Sequence, residues 1–168
     1  MKYLICIALI FAAIENYSAQ SSINDVVFYN AQNETVKLSE KSVVIVCTQL
    51  NCRGCFDFLK RLKQKTSKDV TWYCLFDYTQ LPVSQRPAAI GNIESFIKIP
   101  GIQYIFLADK TPKNFRNSIQ LCQSDHTPHL ILSKENTPIK GLPHEHLFSE
   151  DADEKKILLT IKEYFKGL

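Results

Sequence analysis

The stretch from Ser42 to Cys47 (Ser-Val-Val-Ile-Val-Cys) constrains this chain more than any other. It is apolar and β-branched with no alternation, so a strand built from it has no face for water. Such a strand lies inside a sheet that is covered on both sides, and the covering calls for helices. The next residues supply one. Asn51-Cys52-Arg53-Gly54-Cys55 leads into Phe56-Asp57-Phe58-Leu59-Lys60-Arg61-Leu62-Lys63, where Phe56, Leu59 and Leu62 fall on one helical face with Phe58 beside them. Lys60, Arg61, Lys63 and Lys65 fill the outer face, which reads as solvated surface. Asn51 suits the N-cap.

A Cys-x-x-Cys pair between a buried strand and an amphipathic helix is the arrangement for thiol–disulfide exchange. Two thiols three positions apart in a first helical turn close or open a disulfide with little backbone motion. The helix start presents unpaired N–H groups and a partial positive charge, both favouring a thiolate. Arg53, between the cysteines, adds a full cation. These residues point to redox chemistry with Cys52 attacking. The competing reading is a permanent disulfide that staples the turn, although structural bridges usually close longer loops.

The chain has 168 residues, 45 % of them hydrophobic, enough for one compact domain and too short for two. Its formal charge of +3 is too mild to imply a nucleic-acid partner. The start of the chain differs from the rest. Met1-Lys2 gives one positive charge, Tyr3 to Ile14 is an apolar run, and Glu15 to Gln20 turns polar with small residues at Ser18 and Ala19. That is the order of a secretory signal peptide, here 1–19, with 20–168 as the mature domain. The run is shorter than the roughly 20 apolar residues of a spanning helix, so no stable membrane insertion is expected after cleavage. Cleavage would remove Cys6 and leave Cys47, Cys52, Cys55, Cys74 and Cys122, an odd set with at least one thiol free or transiently paired.

Along the remaining chain, Val26 to Tyr29 and Glu34 to Leu38 read as short strands about a turn at Asn30 to Asn33. Val70 to Phe76 and Ile102 to Ala108 are apolar strands. Between them a helix is predicted from about Ala88 to Lys98, stopped by Pro100-Gly101. Pro112 suits the first turn of a short helix through Leu121. Thr127-Pro128 opens an apolar strand, with Pro138 to Leu142 returning antiparallel to it after a turn. His144 and His146 read as loop residues. Asp151 and Glu154 fit a capping box for a last helix, whose stripe is Ile157, Leu158, Ile161, Tyr164 and Phe165. Strands and helices alternate up to Leu121 and a hairpin and helix follow, so the fold class is α/β with a central mixed sheet.

This order resembles the thioredoxin-like fold, in particular the exported TlpA/ResA-like thiol–disulfide oxidoreductases. The resemblance rests on Cys52-Arg53-Gly54-Cys55 after a buried strand, on Thr127-Pro128 roughly seventy residues later, and on Val36-Lys37-Leu38-Ser39 before the central strand. It covers nearly all of the mature chain. Asn51 stands where the family usually carries tryptophan, and Gly54 where it carries proline. Many thioredoxins hold a buried acid at the position of Val46, and the ResA-like subgroup has a glutamate at that of Phe58, so the assisting acid is not identifiable here.

The resemblance implies a mechanism in which Cys52 attacks, Cys55 resolves and Arg53 lowers the Cys52 pKa. It implies that Pro128 is cis, with Thr127-Pro128 offering backbone to an extended substrate. It also implies protein thiols or disulfides as substrates, a separate redox partner, no cofactor, a monomer, and a periplasmic or secreted location. The Asp125-His126 pair resembles the copper-delivering Sco proteins of the same fold, which leaves open a metallochaperone using Cys52, Cys55 and His126. Sco proteins space their cysteines by three residues, against two here. Cys74 and Cys122 suit a structural bridge, an auxiliary redox pair, or two buried free thiols; Cys47 reads as an inert core residue.

Overall fold

The computed structural model describes residues 26–30, 32–47, 53–76, 83–107, 128–135 and 137–166. Its elements are β1 (Phe28–Tyr29), β2 (Thr35–Val36), β3 (Lys41–Cys47), α1 (Arg53–Lys65), β4 (Thr71–Phe76), a 3-10 turn (Val83–Gln85), α2 (Arg86–Ile97), β5 (Gln103–Leu107), β6 (His129–Lys134), β7 (Thr137–Leu142), α3 (His144–Phe148) and α4 (Glu154–Lys166). They form a seven-stranded sheet in the order β2-β1-β5-β4-β3-β6-β7. β3, β4 and β5 run parallel, because each passes to the next through a helical crossover. The other neighbours pair antiparallel, so the sheet is mixed.

Alternate residues of the inner strands serve opposite cores. Val43, Ile45 and Cys47 of β3, with Trp72, Cys74 and Phe76 of β4, point to one face. There they meet Phe56, Leu59 and Leu62 of α1, Ile90, Ile93 and Ile97 of α2, Leu147 of α3, and Ile157, Ile161 and Phe165 of α4. Val44, Val46, Tyr73 and Leu75 point the other way, with Phe28, Leu38, Ile105, Leu107 and Ile131. Both sides of β3 are thus buried, which is why its sequence never alternates.

Local chemistry sets the connections. Asn30 accepts the backbone N–H groups of Gln32 and Glu34 on its Oδ1 and turns the chain between β1 and β2. Asn33 takes a left-handed φ of 62° in the same turn. Ser39 donates its backbone N–H to the Tyr73 hydroxyl at 3.1 Å, which ties the Val36-to-Ser39 segment to β4. α2 begins earlier than the expected Ala88, because Pro87 fits its first turn, where no intrahelical N–H is required. It ends at Lys98 in the left-handed region, and Gly101 follows with a φ of 67°. For α4 the cap is shifted from the expected Asp151. Asp153 Oδ1 accepts the Lys155 N–H at 2.8 Å, while Glu154 pairs with Lys65 and Arg61 of α1. His144 and His146, expected on a loop, lie on α3, where the Pro143 carbonyl accepts the N–H groups of His146 and Leu147 and Leu147 is buried. The expected helix from Pro112 to Leu121 and the leader lie outside the described residues.

Candidate functional site

β3 ends at Cys47, and the next described element is α1, which begins at Arg53. β6 starts alongside it, with His129 paired to Val46, so Pro128 lies at this same end of the sheet. The topology therefore brings together the C-terminal end of β3, the first turn of α1 and the start of β6.

Cys55 sits in the first turn of α1, only 4 % exposed, and is disulfide-bonded. Cys47 and Cys74 are free thiols, so its partner lies outside the described residues. Arg53 opens the helix on an exposed face, and its guanidinium lies 6.0 Å from the ring centroid of Phe96 on α2. The Phe96 ring stands edge-on to Phe56 at 5.8 Å, which joins α1 to α2 just beside the cysteine. Gly54 is exposed, and an added Cβ there would meet open space. No acid lies in the first turn of α1. Asp57 is exposed, Phe58 is packed against the core, and Val46 is buried in the second core, so neither family acid position carries a carboxylate.

A second chain of contacts runs from α1 to Pro128. Phe58, one turn beyond Cys55, packs against Phe148 of α3 at 5.5 Å, with the Arg61 guanidinium 5.5 Å from the Phe58 ring. Phe148 lies 4.7 Å from the His144 ring. The Nδ1–H of His144 donates to the Pro128 carbonyl at 3.0 Å, since a carbonyl only accepts. Pro128 itself is buried. Sequence reasoning missed His144. The signal lay in Pro143 followed by Leu147-Phe148, a proline one position before a short helix with an apolar turn.

Cys52, Thr127, Cys122 and His126 lie outside the described residues. Cys74 is free, with its Sγ 3.5 Å from that of Cys47 on the neighbouring strand. The bridge between Cys74 and Cys122 considered from sequence is therefore not formed. Burial pushes the Cys74 thiol up, and the adjacent Cys47 thiol adds to this, so it stays protonated and a poor nucleophile. Tyr104 on β5 is pushed up to about 12, mainly by burial, then by the thiols and Glu94 around it. His129 is buried on β6, in register with Val46. Among the described residues, no three His, Cys, Asp or Glu side chains gather closely enough to hold a metal ion. Nor is any described helix long and apolar enough to cross a membrane.

No protein-family profile matches the chain, and no curated protein does. Solved structures match at low identity. A protein from Bacteroides vulgatus proposed to be a thiol-disulfide oxidoreductase is similar at 18 % identity, with a TM-score of 0.55 over 89 % of this chain and 92 % of that one. The pneumococcal exposed lipoprotein thioredoxin of Streptococcus pneumoniae shares 16 % identity, with a TM-score of 0.52 over 81 % and 96 %. A Sco protein of Arabidopsis thaliana, solved with copper bound, shares 12 %, with a TM-score of 0.53 over 84 % and 97 %. The mixed sheet, the helix that carries Cys55 and these likenesses agree: the chain has the thioredoxin-like fold.

Proposed function

We propose that this chain is an exported thiol–disulfide oxidoreductase that exchanges disulfides with protein substrates through Cys52 and Cys55. The observation that carries the reading is Cys55, buried and disulfide-bonded in the first turn of α1, at the sheet end where Pro128 lies. In the reduced protein, the Cys52 thiolate attacks one sulfur of a substrate disulfide. A mixed disulfide forms and the other substrate sulfur leaves as a thiolate. Cys55 gives up its proton and attacks the Cys52 sulfur, which closes the Cys52–Cys55 bond and frees the second substrate thiol. The reverse sequence oxidises a substrate dithiol. A separate redox partner restores the starting state in either direction.

Arg53, at the start of α1, favours the Cys52 thiolate and with it the leaving of Cys52 from a mixed disulfide. Thr127-Pro128 forms the edge that an extended substrate meets. The order of charge, apolar run and small residues in 1–19 supports export to a periplasm or the outside of the cell, where disulfides persist. The test is exchange with a model disulfide. Cys52→Ser should abolish it, and Cys55→Ser should accumulate a mixed disulfide at Cys52. Unimpaired exchange in Cys52→Ser would sink this reading.

The Sco likeness supports a second reading, copper held by Cys52, Cys55 and His126. Stoichiometric copper binding that is lost in His126→Ala would favour it over exchange.

A further inference from the structure

We propose that His144 is a positioning residue for peptide substrates: by holding the Pro128 carbonyl, its imidazole fixes the backbone that an extended substrate must meet. The proposal rests on the exchange reading of Cys52, Cys55 and the Thr127-Pro128 edge, and it adds a residue that the Cys-x-x-Cys pattern does not call for.

Proline has no N–H, so the carbonyl is the one polar backbone group of Pro128. That carbonyl lies in a buried residue just before the β3–β6 ladder begins at His129, and its partner is a side chain rather than a strand. The hydrogen bond fixes the peptide plane between Pro128 and His129, the last one before β6.

The donor is itself held. His144 is the first residue of α3, and the Phe148 ring one turn later lies 4.7 Å from the imidazole. Phe148 rests on Phe58 at 5.5 Å, and Phe58 follows Cys55 by one turn of α1. The helix that carries the cysteine thus braces the residue that holds Pro128.

Strand addition draws its affinity from backbone groups held ready before the peptide arrives, and looseness there costs binding. Losing the His144 donor therefore weakens capture of an extended peptide, whereas the sulfur chemistry after capture belongs to Cys52 and Cys55.

The experiment is steady-state exchange, with excess glutathione as the thiol reductant that returns the chain to its dithiol form, between the purified chain and an unstructured peptide whose single cysteine carries a small thiol in disulfide linkage. His144→Phe keeps a ring against Phe148 and removes the donor. His144→Asn loses the ring but places an amide N–H at the same distance from the backbone as Nδ1. We expect His144→Phe to raise KM roughly three- to tenfold, the worth of one hydrogen bond, with kcat changed by less than about twofold. His144→Asn should recover most of the wild-type KM. An unchanged KM in His144→Phe overturns the proposal, as does an equal rise in both variants, which is the signature of lost packing. Should His144→Phe fail to fold, His144→Leu, which also lacks the donor, takes its place: a KM raised at least about threefold over that of His144→Asn sustains the proposal, and a KM equal to it overturns the proposal. A wild-type protein inert even toward a small aromatic disulfide overturns the exchange reading, and this proposal with it. Wild-type exchange with an indifferent KM overturns the proposal alone.

Discussion

Arg53 and Cys55 show what single residues contribute. The Arg53 guanidinium is held near the Phe96 ring, which keeps a cation at the start of α1, where the helix already presents N–H groups. On the proposed exchange reading, a cation there favours the Cys52 thiolate and makes the disulfide the stronger oxidant. If Arg53 contributes between a third of a pKa unit and one unit, the potential moves by roughly 10–30 mV, since about 30 mV corresponds to 1.4 kcal/mol. Arg53→Gln should therefore lower the midpoint potential of the couple by that amount, read by thiol labelling in glutathione buffers. An unchanged or raised midpoint would remove Arg53 from the tuning. The place of Arg53 and Cys55 at a helix start could be read from the sequence because it follows from a local motif and its spacing. His144 could not, since a histidine acquires its role from what stands beside it, and Pro128 is sixteen residues away.

At the scale of elements, burial decides which thiols react. Cys47 and Cys74 sit side by side on neighbouring strands in the core under α1 and α2, and burial keeps Cys74 protonated. Both should resist alkylation in the folded protein and react fully in denaturant, checked by mass spectrometry of labelled peptides; fast labelling of the native fold would contradict this burial. α1 itself is anchored by Leu59 and Leu62, both fully buried. Leu59→Ala should cost about 2–5 kcal/mol in denaturant unfolding.

The contact between α1 and α4 carries a pH signature. The hydrogen bond from Lys65, and then the charges of Lys65 and Arg61, hold the Glu154 carboxyl below its ordinary 4.5. A lowered carboxyl pKa stabilises the fold above the unfolded value, and this is lost as pH falls through the folded one. Glu154→Gln should lower Tm slightly at pH 7, and the difference from wild type should vanish in acid below that range. Both partners are largely exposed, so the effect is small and screened by salt.

For the whole molecule, the sequence made the order of strands and helices readable because both cores print themselves on the strands. β3 and β4 are buried on both faces and carry no alternation, while α1 and α4 each show one apolar stripe. Strand order was less legible. β5 lies between β1 and β4, a pairing between segments far apart in the chain that periodicity does not encode. The short α3 escaped for a different reason. Five residues give too little periodicity to register, and packing of Leu147 decides the helix rather than propensity.

The candidate site shows the same division. Its cysteines follow from a local motif, whereas the link from Phe58 through Phe148 and His144 to Pro128 exists only once α1, α3 and β6 are assembled. The proposed exchange chemistry turns on whether the disulfide at Cys55 is a working couple with Cys52. Titration of that couple by thiol labelling at controlled potential tests this most directly. Reversible two-electron reduction at Cys52 and Cys55 is expected, with a midpoint above the roughly −270 mV of thioredoxin. A bond that stays closed below about −300 mV would mark a structural staple and contradict it.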